Sequence, residues 1–283
     1  MNRRLVVALV TFVALPSAAL GEGKLAHLQE TGIVRIGFAN DAPWSFAKSD
    51  GTLGGIDYDV AKIVFGRLNV KNLEGVLNKF GSLIPGLEAN RFDVLASGFY
   101  IRPARCEQVA FSIPTIAIGD GLIVKSGNPK NIGGYKTVVE HPDIKLGAVV
   151  GAATMKNAIA AGVPENQIIT FSDNISVVAA VRAGRVDGGM MTAAAAQTIA
   201  SGAPEGTISR ALPFEPAIVD GKPVVNYAGF AFRKEDDDLA KAFDAELAKI
   251  IGTPEHIKIL ERYGLSKNEL PPTTVTTADL CKP

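Results

Sequence analysis

The residues best suited to binding chemistry lie in the segment Ser97-Gly-Phe-Tyr-Ile-Arg-Pro-Ala-Arg-Cys106, which follows a strand-like stretch. Gly98 allows the backbone to come close to a ligand, because it carries no side chain. Arg105, at the start of the next predicted helix, can reach the same place with a planar guanidinium that grips a carboxylate through two hydrogen bonds. The segment therefore predicts an anion clamp, with two aromatic side chains, Phe99 and Tyr100, built into its loop.

Other candidate binding residues lie in loops that follow predicted strands. Trp44 is the only tryptophan, and a large aromatic side chain in such a loop is more often the wall of a site than a filler of the core. Asp41 is a candidate ligand contact, although it could simply cap the turn at Ala42-Pro43. Arg102 could be a second anion contact, but the favoured interpretation is a solvated or lobe-bridging charge.

The N-terminus has the pattern of a secretory signal peptide. A charged start, Met1-Asn-Arg-Arg4, is followed by an apolar run from Leu5 to Leu15 and by the small residues of Pro16 to Gly21. The apolar run is shorter than the roughly 20 residues that a spanning helix needs. We therefore expect cleavage after Ala19 or Gly21 and export of a soluble protein to the periplasm.

The charge balance argues for a small-molecule partner. The chain has 29 basic and 29 acidic residues, and no cluster of Lys and Arg follows the signal peptide. Binding to nucleic acid or to a membrane surface would require a basic patch, so neither is expected. The sequence gives no sign of oligomerisation, and we expect a monomer.

Cys106 and Cys281 are the only cysteines of the chain. An even number of cysteines in an exported protein favours a disulfide bond, because the compartment is oxidising. The predicted bond ties the C-terminal tail to the helix that follows the clamp.

Strand and helix patterns alternate along the chain, which predicts an α/β fold. If Cys281 returns to Cys106, the chain must leave a first lobe and come back to it, and Pro, Gly and Asp residues cluster where these crossings are expected. We predict crossings near 115–119 and within 213–226, and the following division: 1–21 signal peptide, 22–117 first part of lobe one, 118–216 lobe two, 217–283 return to lobe one and tail.

The sequence lacks the common catalytic and metal-binding motifs. It has no His-Glu-x-x-His, no Gly-x-Ser-x-Gly and no phosphate loop, and its three histidines are far apart. We therefore expect no catalytic residues, no metal and no cofactor, and a chain that binds a ligand without converting it.

Several motifs together resemble the solute-binding proteins of polar amino-acid ABC transporters. The resemblance covers nearly the whole chain after the signal peptide, and it rests on the order and spacing of these segments: 37–46, 55–61, 98–114, 183–187, 227–232 and 259–264. It implies a type II periplasmic binding protein fold, in which two α/β lobes close over a ligand, and an inner-membrane ABC permease as partner.

Two positions depart from that family. Tyr100 stands where the amino-acid binders usually carry a threonine, and Thr192 stands where a carboxylate pairs with the α-ammonium of the ligand. A buried ammonium without a carboxylate would cost several kcal/mol. An ordinary amino acid therefore fits poorly, unless Asp41 takes over the pairing.

A narrower resemblance, to the ectoine- and hydroxyectoine-binding proteins of such transporters, accounts for both departures. That subgroup surrounds a cyclic zwitterion with aromatic rings, and its cysteine pair is similar to Cys106 and Cys281. The resemblance implies an acid, three aromatic rings, an arginine and two contacts in the second lobe at these positions: Asp41; Trp44, Phe80 and Tyr100; Arg105; Gly151 and Thr154. Taken alone, Phe80 and Tyr100 fit core packing equally well.

The sequence thus favours a periplasmic protein that captures an ectoine-like zwitterion for an ABC importer. Two alternatives stay open at this point. One is a polar amino-acid-binding protein of an ABC importer, and the other is a periplasmic lyase similar to cyclohexadienyl dehydratase.

Overall fold

The computed structural model describes residues 23–219 and 221–283, so the predicted signal peptide, 1–21, lies outside the described residues. Among the helices in this part of the chain, none combines the length and the apolar character that crossing a membrane requires.

Sixteen strands are short and spread over the described chain. They are β1 Ile33–Phe38, β2 Phe46–Ala47, β3 Leu53–Gly54, β4 Asn72–Leu77, β5 Val94–Leu95, β6 Ala110–Phe111, β7 Ile116–Ile118, β8 Asp120–Lys125, β9 Leu146–Val149, β10 Ile168–Phe171, β11 Gly188–Thr192, β12 Ile208–Arg210, β13 Ile218–Val219, β14 Lys222–Pro223, β15 Asn226–Ala228 and β16 Ala231–Phe232.

Helices alternate with these strands. They are α1 Lys24–Thr31, α2 Ile56–Arg67, α3 Leu83–Glu88, α4 Pro103–Cys106, α5 Tyr135–Glu140, α6 Ala153–Ala160, α7 Asn174–Ala183, α8 Ala193–Ser201, α9 Asp237–Leu247, α10 Pro254–Arg262 and α11 Thr277–Leu280. Short 3₁₀ turns cover Phe80–Ser82, Glu165–Gln167 and Lys267–Glu269.

The first sheet has the strand order β4-β1-β5-β16-β6. β1 runs parallel to β4 and β5, whereas β16 runs antiparallel to β5 and β6. Val34, Ile36 and Phe38 on β1 are buried, as expected for a strand in the middle of a packed layer. Because β16 comes from near the end of the chain, the polypeptide returns to this sheet after building the second one.

The second sheet has the order β10-β9-β11-β8-β12. Its β9 pairs in parallel with β10 and β11, and β8 runs antiparallel to β11 and β12. Helices flank both sheets. The predicted α/β fold with two lobes, each built on a mostly parallel sheet, is confirmed.

Two strands connect the lobes. β7 and β15 pair antiparallel, with Ile116 opposite Ala228 and Ile118 opposite Asn226. Ala217 belongs to the core of the second sheet, and Val224 packs against it. We therefore propose that the second lobe extends to about residue 225, with the return crossing at β15, rather than ending at residue 216.

The core of the first lobe contains the apolar stripe of α9. Leu239, Phe243 and Leu247 are fully buried at helical spacing. The Phe243 ring lies 4.8 Å from that of Phe230 and 5.2 Å from those of Phe65 and Phe232, measured between ring centroids. These contacts hold α9 against α2 and against the returning strand β16.

The predicted disulfide between Cys106 and Cys281 is confirmed, with a Cα–Cα distance of 5.7 Å. Both cysteines pack against a cluster of buried apolar residues that includes Phe99 and Phe111. The bond therefore fixes the tail of the chain directly beneath the loop that carries the predicted clamp.

We predict that replacing both cysteines, Cys106→Ser with Cys281→Ser, lowers the free energy of unfolding by up to about 5 kcal/mol, because the bond closes a loop of 175 residues in the unfolded chain. Urea denaturation of the wild type and the double variant measures the difference. Reducing agent should destabilise the wild type by a similar amount and leave the variant unchanged. Equal midpoints for the oxidised wild type and the variant would contradict the prediction.

Candidate functional site

A small cavity of about 50 Å³ lies between the two lobes. Its wall from the first lobe consists of Ala39, Asp41, Phe80, Gly98, Tyr100 and Arg105. Its wall from the second lobe consists of Val149, Ala152, Ala153, Thr154, Ser172, Asp173, Asn174, Met190, Met191 and Thr192. The lobes therefore enclose a space to which both contribute polar and apolar side chains.

The cavity lies at the C-terminal ends of the strands. In the first lobe its walls follow β1, β4 and β5, and in the second lobe they follow β9 and β10 or end β11. Parallel strands bring their C-terminal ends to one edge of a sheet, where α/β folds commonly bind ligands. The topology thus gathers residues that are far apart in sequence.

Three helices of the second lobe, α6, α7 and α8, begin at this cavity. Asp173 caps α7 and Thr192 caps α8 through backbone N–H groups of those helices, whereas Ala152 gives α6 no side-chain cap. The first N–H groups of an uncapped helix suit a bound anion. Of the three helix starts, that of α6, beside Thr154, is the most suitable for a carboxylate.

Contacts within the first lobe hold the loop that carries the predicted clamp, residues 97–106 (the clamp loop), in position. Gly98 has a φ of +58°, and a Cβ atom there would lie 2.6 Å from the Trp44 ring, so a larger residue would be strained and would clash. The Gly98 N–H donates a 2.6 Å hydrogen bond to the buried carboxylate of Asp57. After Gly98, the backbone hydrogen-bonds to residues 227–229. These residues lie on or directly after β15, which together with β7 forms the hinge between the lobes.

The guanidinium of Arg105 spans the two lobes at the cavity wall. Its Nη1 donates to the carbonyl oxygen of Tyr100 (2.9 Å), and its Nη2 donates to that of Gly151 in the second lobe (3.0 Å). Its central carbon lies 3.8 Å from the ring centroid of Phe99 and 5.7 Å from that of Phe80. Stacking and two carbonyl contacts hold the guanidinium in place and leave other N–H donors free.

Arg105 forms no ion pair with any carboxylate of the described residues. Burial, together with the nearby charge of Arg102, lowers the pKa of Arg105 from 12.5 to about 9. A partly buried cation without a countercharge is unfavourable. The arrangement therefore favours a ligand that brings a negative charge to this place.

Asp41 supplies the opposite charge on the first-lobe side. Its Oδ1 accepts a 2.7 Å hydrogen bond from Nδ2 of Asn174 in the second lobe. Burial and, to a smaller extent, the charge of Asp57 raise the pKa of the Asp41 carboxyl from 3.8 to about 7, although the bond from Asn174 works against this shift. A ligand cation at Asp41 would favour its ionised form.

Three buried polar atoms of the cavity wall have no hydrogen-bond partner among the described residues. They are Oη of Tyr100, Oγ1 of Thr154 and Oδ1 of Asn174. Buried polar groups are almost always paired, and leaving one unpaired costs about 1–3 kcal/mol. Together they offer hydroxyl donors and an amide acceptor to a polar ligand.

Five of the seven predicted ligand contacts line the cavity, namely Asp41, Phe80, Tyr100, Arg105 and Thr154. Gly151 lies beside it and contributes its carbonyl oxygen to Arg105.

Trp44 lies behind Gly98 and not in the cavity wall. It is fully buried, and its Nε1 donates a 3.2 Å hydrogen bond to Oγ1 of Thr192 in the second lobe. The indole therefore supports the clamp loop and contacts the opposite lobe.

Sequence reasoning missed other residues of the site. Phe99, to which no role was assigned, is the ring on which the Arg105 guanidinium lies. Asp173 and Asn174 line the cavity from the start of α7. The signal that could have found them is their position directly after the strand-like segment Gln167-Ile-Ile-Thr-Phe171, because neighbouring parallel strands end at the same edge.

Among residues 23–219 and 221–283, no group of three or more His, Cys, Asp or Glu side chains is placed to hold a metal ion.

The family model for bacterial extracellular solute-binding proteins, family 3, matches residues 34–266. The chain belongs to this family. A probable amino-acid ABC transporter periplasmic-binding protein of Sinorhizobium fredii is 36% identical to it over 279 residues, which cover 97% of this chain and 91% of that protein.

Two solved structures are similar over most of the chain. The crystal structure of EhuB in complex with hydroxyectoine has a TM-score of 0.81 and 35% identity, covering 92% of this chain and 98% of that one. The ancestral amino acid-binding protein AncCDT-1, a precursor of cyclohexadienyl dehydratase, has a TM-score of 0.72 and 28% identity, covering 84% and 98%.

These relatives define the chain as a solute-binding protein of the family 3 ABC type, and the relatives themselves are binding proteins rather than enzymes. Proteins of this extracellular or periplasmic family deliver small solutes to an ABC permease. The lyase alternative gains no support from these binding proteins.

The carboxyl group beneath the clamp loop gives a pH prediction. Burial raises the pKa of Asp57 from 3.8 to about 6, against the hydrogen bond from Gly98. The folded protein therefore holds a proton that the unfolded chain has lost between about pH 4 and pH 6, and stability must fall as the pH rises through that window.

Titration of Asp57 should lower the free energy of unfolding by roughly 3 kcal/mol as the pH rises through this window. The Asp57→Asn variant should not show this decrease, although its amide oxygen can still accept the hydrogen bond from the Gly98 N–H. The measurement is urea denaturation of both proteins from pH 4 to pH 7. Subtracting the two curves removes the other titrating groups. Parallel curves across the window would show that Asp57 does not carry this proton.

Proposed function

We propose that the chain is a monomeric periplasmic solute-binding protein that captures a small zwitterion similar to ectoine or hydroxyectoine and delivers it to an inner-membrane ABC permease. The main support for this proposal is that one cavity contains both Arg105 and Asp41, and neither forms an ion pair with an opposite charge among the described residues. A ligand with one negative and one positive group would neutralise both.

The anionic end of such a ligand suits Arg105. A carboxylate can accept from the free N–H groups of the guanidinium, from the hydroxyl of Thr154 and from the uncapped start of α6. All of these groups are donors, so they favour a carboxylate over a neutral amide.

The cationic end suits Asp41 and Asn174. The second carboxylate oxygen of Asp41 and the unpaired Oδ1 of Asn174 can both accept from ring N–H groups. Phe80 and Tyr100 line the same cavity, and an aromatic face stabilises a delocalised cation by about 0.5–2 kcal/mol. The amidinium of ectoine spreads its charge over two nitrogens and fits this environment better than a compact ammonium does.

Closure of the lobes would allow the permease to recognise the ligand-bound protein. Three polar contacts already join the lobes around the cavity: Trp44 to Thr192, Asn174 to Asp41 and Arg105 to Gly151. A ligand that touches both walls binds the closed form better than the open one, so binding shifts the population toward closure. The permease can then distinguish loaded from empty protein by shape.

The similarity to EhuB, whose structure contains hydroxyectoine, supports the ectoine-like ligand. A second candidate is a polar amino acid, because Asp173 also lines the cavity. Hydrogen bonds from the side chain of Ser172 and the backbone of Ser176 lower the pKa of this carboxyl, so it is ionised and could pair with an α-ammonium.

Isothermal titration calorimetry of the purified mature protein tests the proposal. The panel consists of ectoine, hydroxyectoine, arginine, glutamine and histidine. We expect the two ectoines to bind more tightly than any amino acid. Tight binding of an amino acid with no heat from ectoine would reject the ectoine-like ligand and favour the second candidate.

We predict that Arg105→Gln weakens binding of the preferred ligand by at least about 2 kcal/mol, because it leaves the ligand carboxylate buried without a countercharge. Calorimetry with the same ligand measures the change.

The matched control is Arg185→Gln, since Arg185 also lies over a phenylalanine ring, that of Phe171, but outside the cavity. Affinity should be unchanged in this control. An Arg105→Gln protein that binds as tightly as the wild type would show that the carboxylate lies elsewhere.

A further inference from the structure

A second polar cluster joins the lobes at the hinge, outside the ligand cavity. Its centre is Arg102, which immediately precedes α4 in the first lobe and is absent from the cavity wall. Nη2 of Arg102 donates to Oδ1 of Asn157 on α6 in the second lobe (2.5 Å) and to Oδ1 of Asn226 on the hinge strand β15 (2.6 Å). One guanidinium thus contacts the second lobe and the hinge together.

Both asparagines are oriented by a buried acid. Nδ2 of Asn157 donates to both carboxylate oxygens of Asp120, at 3.0 and 2.9 Å, and Nδ2 of Asn226 donates to Oδ1 of Asp120 at 3.1 Å. The hydroxyl of Tyr135 donates to Oδ2 at 2.9 Å. An ionised carboxylate only accepts, so each amide must direct its NH₂ toward Asp120 and its oxygen away from it.

The two amide oxygens therefore form a preformed acceptor site for a guanidinium from the first lobe. Asp120, Asn157 and Asn226 are all buried, so their orientation is costly to change. The negative charge of Asp120 lies just behind the acceptors and adds to the attraction for Arg102.

The same helix links this cluster to the ligand. Asn157 lies one turn after Thr154 on α6, and Thr154 lines the cavity beside the uncapped helix start. Holding Asn157 against Arg102 thus places the start of α6 where a ligand carboxylate would meet it.

We propose that Arg102 is an interlobe latch, a positioning residue that stabilises the closed form through Asn157 and Asn226 and so sets ligand affinity without touching the ligand. The latch does not depend on which solute binds, because it changes the population of the closed form and makes no contact with the ligand. The apparent dissociation constant of a closing protein is the intrinsic constant divided by the closed fraction. Losing the latch must therefore weaken every ligand by one common factor.

The test compares Arg102→Met with the wild type by calorimetry. The probes are ectoine and hydroxyectoine, or arginine and lysine if the first pair does not bind. We expect both dissociation constants of the chosen pair to rise by the same factor, about ten- to a hundredfold, as for lost hydrogen bonds to a charged group. Arg102→Lys, which keeps the charge but carries it on a shorter and more strongly hydrated side chain, should lie between wild type and Arg102→Met.

A second readout measures closure directly. Spin labels at Leu77→Cys and Ile175→Cys, exposed positions on the first and second lobes, report the interlobe distance. At one subsaturating probe concentration, Arg102→Met should show a smaller population at the short distance. The thermal midpoint of the ligand-free protein should stay within a few degrees, because the open form does not use the latch.

Asn157→Leu removes the acceptor from the opposite lobe. The loss of binding free energy in the double variant with Arg102→Met should be clearly smaller than the sum of the two single losses, since both changes break the same contact. Unchanged affinity in Arg102→Met, or a factor that differs between the two probes, would overturn the latch, and the second result would make Arg102 a ligand contact.

Discussion

A partly buried guanidinium without a carboxylate partner among the described residues is the central interaction of the cleft between the lobes. Arg105 lies between the lobes, on the ring of Phe99, with two backbone carbonyl oxygens as its protein partners and no carboxylate among the described residues. Such a cation is unfavourable in a closed and empty cavity, and an anionic ligand removes that cost. We therefore propose that ligand capture and lobe closure are coupled through this charge.

The rest of the fold serves to hold that charge in one place. The disulfide between Cys106 and Cys281 anchors the helix that carries Arg105, and Asp57 fixes the backbone at Gly98 before it. The parallel strands bring the walls of both lobes to a common edge. At the hinge, the cluster around Asp120 prepares acceptors for Arg102, so a second arginine from the same loop joins the lobes at a separate point.

The sequence predicted the fold class and the disulfide because each depends on local or countable features, whereas the role of the Ser97 to Cys106 segment as an anion clamp stays a prediction. Tyr100 and Arg105 lie in one short motif, and two cysteines allow a single pairing. Trp44 was different, because only the tertiary structure shows that its ring lies behind Gly98. Phe99 was left without a role for the same reason, since its position beneath Arg105 depends on how the loop turns. Predicting that Asp173 lines the site would have required knowing that β10 ends beside β9.

A crystal structure of the mature protein grown with ectoine would show whether Arg105 binds the ligand carboxylate between the lobes. We expect a closed cleft, with the ligand carboxylate within about 3 Å of the Arg105 guanidinium, as in a charge-assisted hydrogen bond. The ring nitrogens should face Asp41 and Asn174, with Phe80 and Tyr100 beside the ring. A carboxylate placed away from Arg105, or a ligand held by one lobe alone, would contradict this expectation.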